Sequence, residues 1–404
     1  MIGLITTNYW PEPTGIAVYT RDLAEKLNGE NLHCDVLTSL PHYPWWRVPS
    51  EYADQNEGIH FINNVRVLRV KHHIPKFFTA LSRIRFEFSL YINLKRMSKK
   101  FGNPTTLIAC IPTLASLYVA LSLKKKSRSP VGVIVQDLSG KGASQSGQLG
   151  GNLIAKLAEM VEIRALKKAD SIVVVSESMK IMLEKQGIVE SKITLISNYS
   201  VRKPQLINKI EAKKSLGWSE KEFIAIHTGN IGAKQDLGNL VDAAQYLPNA
   251  VCIKIIGHGN QEKFIKEIAL KVSNIEILPA VSDYEYSKIL AAADLLLVNE
   301  RSTQMEMSLP SKLTSYLFSD RPVLAAVPRG GATWKYLDGV AELVEAGDPV
   351  VLARKIEELS GQPDKLNALA RKGKEFAEAN LSPDVGRKKY LDWVEDLISL
   401  GKNR

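Results

Sequence analysis

Residues 223–258, FIAIHTGNIGAKQDLGNLVDAAQYLPNAVCIKIIGH, change pattern twice. Phe223–His227 and Val251–Ile256 are short apolar runs rich in β-branched residues, whereas Leu237–Ala244 between them has the apolar spacing of a helix. Strand, glycine turn, helix and strand make a βαβ unit, so the two strands lie parallel in one sheet with a helix over its face. Downstream the alternation continues with a helix over Gln261–Val272, the strand Ile275–Leu278, a helix over Tyr284–Ala292 and the strand Asp294–Val298. A helix starting near Ser311, the strand Val323–Ala326 and two closing helices complete it. Upstream, Ile2–Thr6, Cys34–Thr38, Val65–Val70, Thr106–Ile111, Val131–Val135 and Ser171–Val175 read as strands, with helices over Val18–Asn28, Leu153–Lys168 and Glu177–Gln186. The fold class is therefore α/β, with two doubly wound sheets.

The two series are parted by residues 199–221, YSVRKPQLINKIEAKKSLGWSEK, a polar and basic stretch read as a linker. The expected domains are residues 1–198 and 222–380. A helix within 381–404 has no strand after it and is expected to pack back across the domain junction. At 404 residues the chain is too long for one core, and 45% hydrophobic against 24% charged residues is ordinary for a globular protein. Cys34, Cys110 and Cys252 form neither a Cys-x-x-Cys pair nor a Cys/His cluster, which speaks against a disulfide framework or zinc site and for a reducing compartment. Met1 runs straight into IGLIT without a basic leader or cleavage signal, so a cytoplasmic location is expected. The uncharged segment Thr105–Leu123 approaches the length of a membrane span, but Pro112 splits it into strand, turn and helix.

Glycines follow several strands directly: Gly15 after the first, Gly229-Asn230-Ile231-Gly232 after Phe223–His227, and Gly257-His258-Gly259 after Val251–Ile256. Small residues there let a phosphate approach backbone N–H groups, although glycine after a strand is also the ordinary tight turn. The run IIGHGNQE lacks the third glycine of a dinucleotide fingerprint, Glu262 standing in its place, which disfavours a dehydrogenase. Glu306-Met307-Ser308-Leu309-Pro310-Ser311-Lys312 sets a helix start, a hydroxyl and a cation just after an acid. That suits a diphosphate with a carboxylate beside the attached group, or equally an ordinary capped helix.

NYWPEPTGIAVYTRDLAEKL near the N-terminus, PHYPWW, VVVSESM, TGNIGAKQDL and LPSKLTSYLFSDRPVLAAV, in that order, resemble glycosyltransferase family 4, closest to its exopolysaccharide, colanic-acid-type branch. The resemblance implies a GT-B fold, in which two Rossmann-like domains face each other across a cleft. It also implies a nucleotide-sugar held mainly by the C-terminal domain and transfer with retention of anomeric configuration. Carried over by position, Gly15 lies against the donor phosphate, Lys234 neutralises the leaving diphosphate, and Glu306 stands near the transferred sugar. Leu309, Pro310, Ser311 and Lys312 match the segment whose backbone holds the phosphates. Gly229, Asn230, Gly257 and Thr314 complete the expected donor side. Three positions depart from the pattern: Thr314 stands where the family's second motif acid falls, Asn230 where many members have arginine, and Gln136-Asp137 where many have histidine. Asp137 is the candidate to take over that last role. His42, in PHYPWW, is the histidine expected near the acceptor.

No Asp-x-Asp tripeptide occurs, so neither a metal nor another cofactor is expected. Without a second carboxylate in evidence, the leaving diphosphate is expected to deprotonate the acceptor itself. UDP is the favoured nucleotide and GDP the next. An epimerase or phosphorylase of similar fold, and a basic nucleic-acid-binding protein, are the alternatives. The second lacks any recognisable reading module, so no nucleic-acid partner is expected.

The formal charge is +10, and Lys71–Lys100 holds eight Lys/Arg against one acid, Glu87. Phe77, Leu81, Ile84, Phe88, Tyr91 and Ile92 recur there at three- and four-residue steps, flanked by Arg83, Arg85, Lys95, Arg96, Lys99 and Lys100. Such a basic amphipathic helix is expected on an anionic membrane, on the inner face of the cell membrane, beside a lipid-linked saccharide acceptor. The same apolar face could instead pack on the N-terminal sheet.

Overall fold

The computed structural model describes residues 1–13, 15–52, 57–76, 79–138, 151–201, 207–303 and 312–402. The chain forms two compact units, Met1–Ser197 with Gly386–Arg404, and Asn198–Val385.

The first unit holds β1 (Ile2–Ile5), β2 (Cys34–Ser39), β3 (Gly58–Ile62), β4 (Val65–Val70), β5 (Thr106–Ile111), β6 (Val131–Val135), β7 (Ser171–Val174) and β8 (Ile193–Leu195). Its helices are α1 (Ile16–Gly29), α2 (Ala80–Met97), α3 (Leu114–Ser127), α4 (Gly151–Leu166) and α5 (Glu177–Lys185). The sheet order is β3-β4-β2-β1-β5-β6-β7-β8, parallel except for β3, which pairs antiparallel with β4. Burial on both faces explains why β1, β2, β5 and β6 are wholly buried. The uncharged stretch around Pro112 is β5, a turn and α3, and no described helix is long and apolar enough to cross a membrane.

The second unit holds α6 (Lys209–Ser215), β9 (Phe223–Asn230), α7 (Gly238–Ala244), β10 (Val251–His258), α8 (Glu262–Ala269), β11 (Ile275–Leu278), α9 (Asp283–Ala292), β12 (Leu295–Asn299) and α10 (Lys312–Phe318). It continues with β13 (Val323–Val327), α11 (Ala332–Leu337), β14 (Glu342–Glu345), α12 (Pro349–Ser360) and α13 (Pro363–Leu381). The order β11-β10-β9-β12-β13-β14 reverses direction between β9 and β12. That reversal opens a crevice at the carboxyl ends of those two strands. One apolar cluster centres on Ile253, Ile255, Leu297 and Ile356, another on Ile226, Leu296, Tyr316 and Leu317.

Several expectations shift. Strands β3, β8 and β14 lie outside the six upstream and five downstream strand runs of the sequence reading, and β9 and β10 run on through their glycine turns to Asn230 and His258. Part of the stretch read as linker is α6, where Asn208 caps the helix and Ala212 packs on Ala291 and Ala292 with Trp218.

The last helix, α14 (Pro383–Lys402), belongs to the first unit from Gly386 onward. There the Arg387 guanidinium donates to both Asp22 carboxylate oxygens, at 2.6 and 3.0 Å, and Trp393 Nε1 donates to Ser171 Oγ at 2.8 Å. Gly132 makes room for it, since a Cβ at that position would stand 2.6 Å from both the Trp393 ring and Leu397. Gly132→Val is expected to destabilise the first unit by about 1–3 kcal/mol, the usual cost of overpacking a filled core. Thermal melts followed by circular dichroism check this, and an unchanged midpoint would show that α14 docks without that contact.

Candidate functional site

In the second unit, parallel β9 and β10 end in two glycine turns that nearly touch. A Cβ at Gly257 would lie 1.8 Å from the Gly229 carbonyl oxygen, so only glycine admits this approach of the two backbones. The Asn230 amide, at the end of β9, donates to Gln235 Oε1 at 3.4 Å. The next turn, which carries Lys234, is tied to the end of β12. Asn299 Nδ2 donates to the carbonyls of Gln235 and Asp236 at 2.8 and 3.0 Å, and Arg301 N to that of Lys234 at 3.0 Å. Asn239 Nδ2 in turn donates to Asn299 Oδ1 at 2.9 Å. Lys234 itself is exposed.

Behind this edge, α10 is fastened to β9 by Tyr316, whose buried hydroxyl accepts from Thr228 N at 2.7 Å. Lys312, the first residue of α10, brings Nζ to 2.9 Å from His227 Nε2. His227 Nδ1 lies 3.1 Å from the Leu297 carbonyl, which fixes the proton on Nδ1 and leaves Nε2 to accept from Lys312. Burial, then the Lys312 charge, holds His227 well below its ordinary range, so it is neutral at pH 7. Burial also pulls Lys312 down to about 7, a drop that nearby Glu300 opposes. Glu300 is buried and accepts from Thr333 Oγ1 at 2.7 Å. Thr314, the third residue of α10, is half-buried. Glu306, Leu309, Pro310 and Ser311 lie outside the described residues.

In the first unit, the loop after β1 closes on the loop after β2 through Glu12. One carboxylate oxygen accepts from His42 N and Tyr43 N at 2.8 and 2.9 Å, and the other from Asn8 Nδ2 at 2.7 Å. Burial raises the Glu12 carboxyl above its usual range against the pull of those donors. Gly15, at φ 63°, then starts α1. His42 is buried, with Nδ1 3.1 Å from the Leu40 carbonyl, and its ring meets that of His72 edge-on at 4.5 Å between centroids. Burial lowers His42 to about 4. Burial and the neighbouring His42 and His73 likewise hold His72 well below its ordinary value. Arg69, also buried, donates to the Ser39 carbonyl at 3.1 Å and to that of Trp10. Asp137 is exposed at the end of β6, its Oδ1 accepting from Leu138 N at 2.8 Å.

Spacing and composition do not mark Glu12, Arg69, Asn299, Glu300 or His72 as site residues and give His227 no role. Among them only Glu12, set between two prolines just after a strand, carries a local signal. On α2, the sheet-facing stripe is Phe86, Leu90, Leu94 and Met97. Leu81, Ile84, Phe88 and Ile92, four of the residues expected to share one apolar face, do not pack on the sheet but keep 67, 59, 64 and 46% of their surface exposed, while Tyr91 is half-buried. Phe77 lies outside the described residues. Arg83, Arg85, Lys95, Lys99 and Lys100 are exposed beside them, and Arg96 pairs with Glu57.

Residues 13–199 match Glycosyltransferase Family 4 and residues 208–376 match Glycosyl transferases group 1. The chain is 26% identical over 408 residues to WcaI of Escherichia coli (strain K12), provisionally named a colanic acid biosynthesis glycosyl transferase, covering 95% of this chain and 97% of that one. Among solved structures, sucrose-phosphate synthase from Thermosynechococcus elongatus superposes with a TM-score of 0.76 at 16% identity, over 99% of each chain. Anabaena HepE in complex with UDP gives 0.72 at 14% identity, and in complex with UDP-glucose 0.70 at 14%, each over 98% of this chain and 100% of that one. These matches decide for a transferase over the epimerase, phosphorylase and nucleic-acid alternatives.

The buried histidines predict the pH response of the first unit. An unfolded imidazole takes up a proton near pH 6.5, which folded His42 refuses until about 4. Its contribution is therefore intact above pH 6.5 and is lost as the pH falls toward 4, at about 1.4 kcal/mol per pH unit for each such group. Glu12, raised in the folded state, works in the opposite sense. His42→Gln is expected to flatten the fall of the melting midpoint between pH 7 and 5 relative to the wild type. Parallel curves would mean that His42 does not carry the effect.

Proposed function

The chain belongs to the glycosyltransferase family 4 proteins, with the GT-B fold of two parallel-sheet α/β domains, and from that premise we propose that it builds a cell-surface polysaccharide. It takes a sugar from a UDP-sugar and places it, with retention of configuration, on a lipid-linked saccharide. The crevice at the ends of β9 and β12 carries this reading: two glycine turns whose backbones meet too closely at Gly257 for a side chain, one turn with Lys234 pinned by Asn299, and the Lys312–His227 pair behind them. It offers backbone N–H groups and cations to a diphosphate. The name of WcaI favours an exopolysaccharide product, and the ligands of HepE favour UDP.

In the proposed transfer the acceptor oxygen bonds to the anomeric carbon on the face from which the diphosphate departs. The bond from that carbon to the phosphate oxygen breaks, and the acceptor proton passes to the leaving diphosphate. Lys234 stabilises the charge that develops there, and Glu306 stands beside the transferred sugar. Glu12 orders the loop that ends in Gly15, and Asp137 and His42 serve the sugar and acceptor sides. The reaction needs no metal in this scheme.

The exposed stripe Leu81, Ile84, Phe88 and Ile92, flanked by Arg83, Arg85, Lys95, Lys99 and Lys100, rests on an anionic membrane where the acceptor lipid is held. Unpartnered apolar side chains between exposed cations complement a surface that is apolar within and negative outside.

A thermal-shift screen with UDP-, GDP-, ADP- and TDP-sugars tests the donor, since a ligand at 100 times its Kd adds about 2.7 kcal/mol of apparent stability. The UDP-sugars are expected to stand out, and no shift with any donor would overturn the reading. Lys234→Ala is expected to lower kcat by about a hundred- to a thousandfold with the fold intact, the usual effect of removing one preorganised charge stabiliser. A normal kcat would remove Lys234 from the chemistry. Replacing Arg83, Arg85, Lys95, Lys99 and Lys100 by Gln is expected to abolish co-sedimentation with anionic vesicles while UDP binding persists. Continued sedimentation of that variant would put the membrane contact elsewhere.

A further inference from the structure

The end of β9 and the turn after it bring no charge of their own, the residues being Gly229, Asn230, Ile231 and Gly232. An amine reaches it from α10. Lys312 Nζ stands 4.0 Å from the place a Cβ would take at Gly229, and that glycine, at φ 110°, leaves the space open. The partner of this amine is the Nε2 lone pair of a neutral histidine, His227, rather than a carboxylate. Glu300, at the end of β12, is the acid that acts on Lys312 among the described residues, and it is engaged by Thr333. Tyr316, further along α10, and Tyr286, on α9, are both raised by burial and stay neutral. Lys234 is exposed on the neighbouring turn, and Glu306 lies outside the described residues.

We infer that Lys312 is a receptor for the donor's diphosphate that, above neutral pH, rests on His227 largely as the free amine while the crevice is empty and takes up a proton when the diphosphate binds. This rests on the reading that the second unit binds a nucleotide-sugar. A permanent ammonium in that place would have to be kept largely desolvated with Glu300 alone, among the described residues, to oppose its charge, and a charge so placed is costly. A free amine on an imidazole nitrogen avoids that cost, and an arriving dianion supplies the missing countercharge. His227 is the positioning residue: with Nδ1 committed to the Leu297 carbonyl, it presents an acceptor to the amine and cannot itself become the cation.

The linkage can be read directly. With Lys312 near 7 in the empty site, roughly one-tenth of the free protein carries the proton at pH 8, so binding takes up about 0.9 proton there. Affinity then weakens by close to tenfold per pH unit above about pH 8. Working above pH 7.5 keeps clear of the last phosphate ionisation of UDP, near pH 6.

The experiment is titration calorimetry of the full chain with UDP at pH 8, in HEPES and in Tris, whose different heats of ionisation report the protons exchanged. Kd is followed from pH 7.5 to 9. The wild type is expected to take up close to one proton, Lys312→Met none and with weaker binding, and Lys312→Arg none with an affinity flat in pH. UDP binding to the wild type without proton uptake and with a flat Kd would overturn this inference while leaving the donor reading intact. So would uptake by Lys312→Met equal to that of the wild type. If neither UDP nor GDP binds the wild type, the donor reading falls and the inference with it. The wild-type measurement decides the question even if a Lys312 variant fails to fold.

Discussion

The second unit is organised by two backbones that come too close for side chains. Where Gly257 passes the carbonyl of Gly229, even a methyl group would collide. The ends of β9 and β10 are thereby held flush, so the turns after them open at the same level as the end of β12. Asn299 then binds the Lys234 turn from the side, and Tyr316 binds α10 from behind. Each tie sets a backbone or a hydroxyl, so the crevice keeps its form without its cations having to meet carboxylates.

The first unit solves a similar problem by different means. Its loops after β1 and β2 are longer and carry prolines and aromatics, and a single carboxylate, Glu12, draws two backbone N–H groups and one amide onto itself. Around it the charged and titratable side chains are buried, and burial sets their states. His42 and His72 stay neutral, and Arg69 remains charged although pulled down to about 10. Such an interior favours one arrangement of its loops because moving any member would leave a polar group without a partner.

Most of the fold was legible because a parallel strand buried on both faces is a continuous apolar run, as LIACI and VGVIV are. The strands that escaped lie at or near sheet edges. GIHFI alternates, its residues half-exposed beside β4, while ITL and ELVE are short and partly open to solvent. α6 escaped because only Ala212 and Lys213 of its seven residues are buried, which leaves a composition like that of a loop. On α2 both faces carry apolar residues, and spacing alone does not say which one meets the sheet. In the site, the glycine turns and Lys234 announced themselves by following strands. His227 lies inside β9 and Asn299 and Glu300 at the end of β12, where no spacing marks them and only the sheet order brings the two strands side by side.

The return of α14 to the first unit makes the second unit, in topological terms, an insertion. The chain leaves the first unit after Ser197 and re-enters it at Gly386. During synthesis the second unit is therefore complete in sequence before the first, whose groove over Gly132 stays open until the last helix has left the ribosome. A stop or frameshift late in the gene would then injure the domain encoded at its beginning.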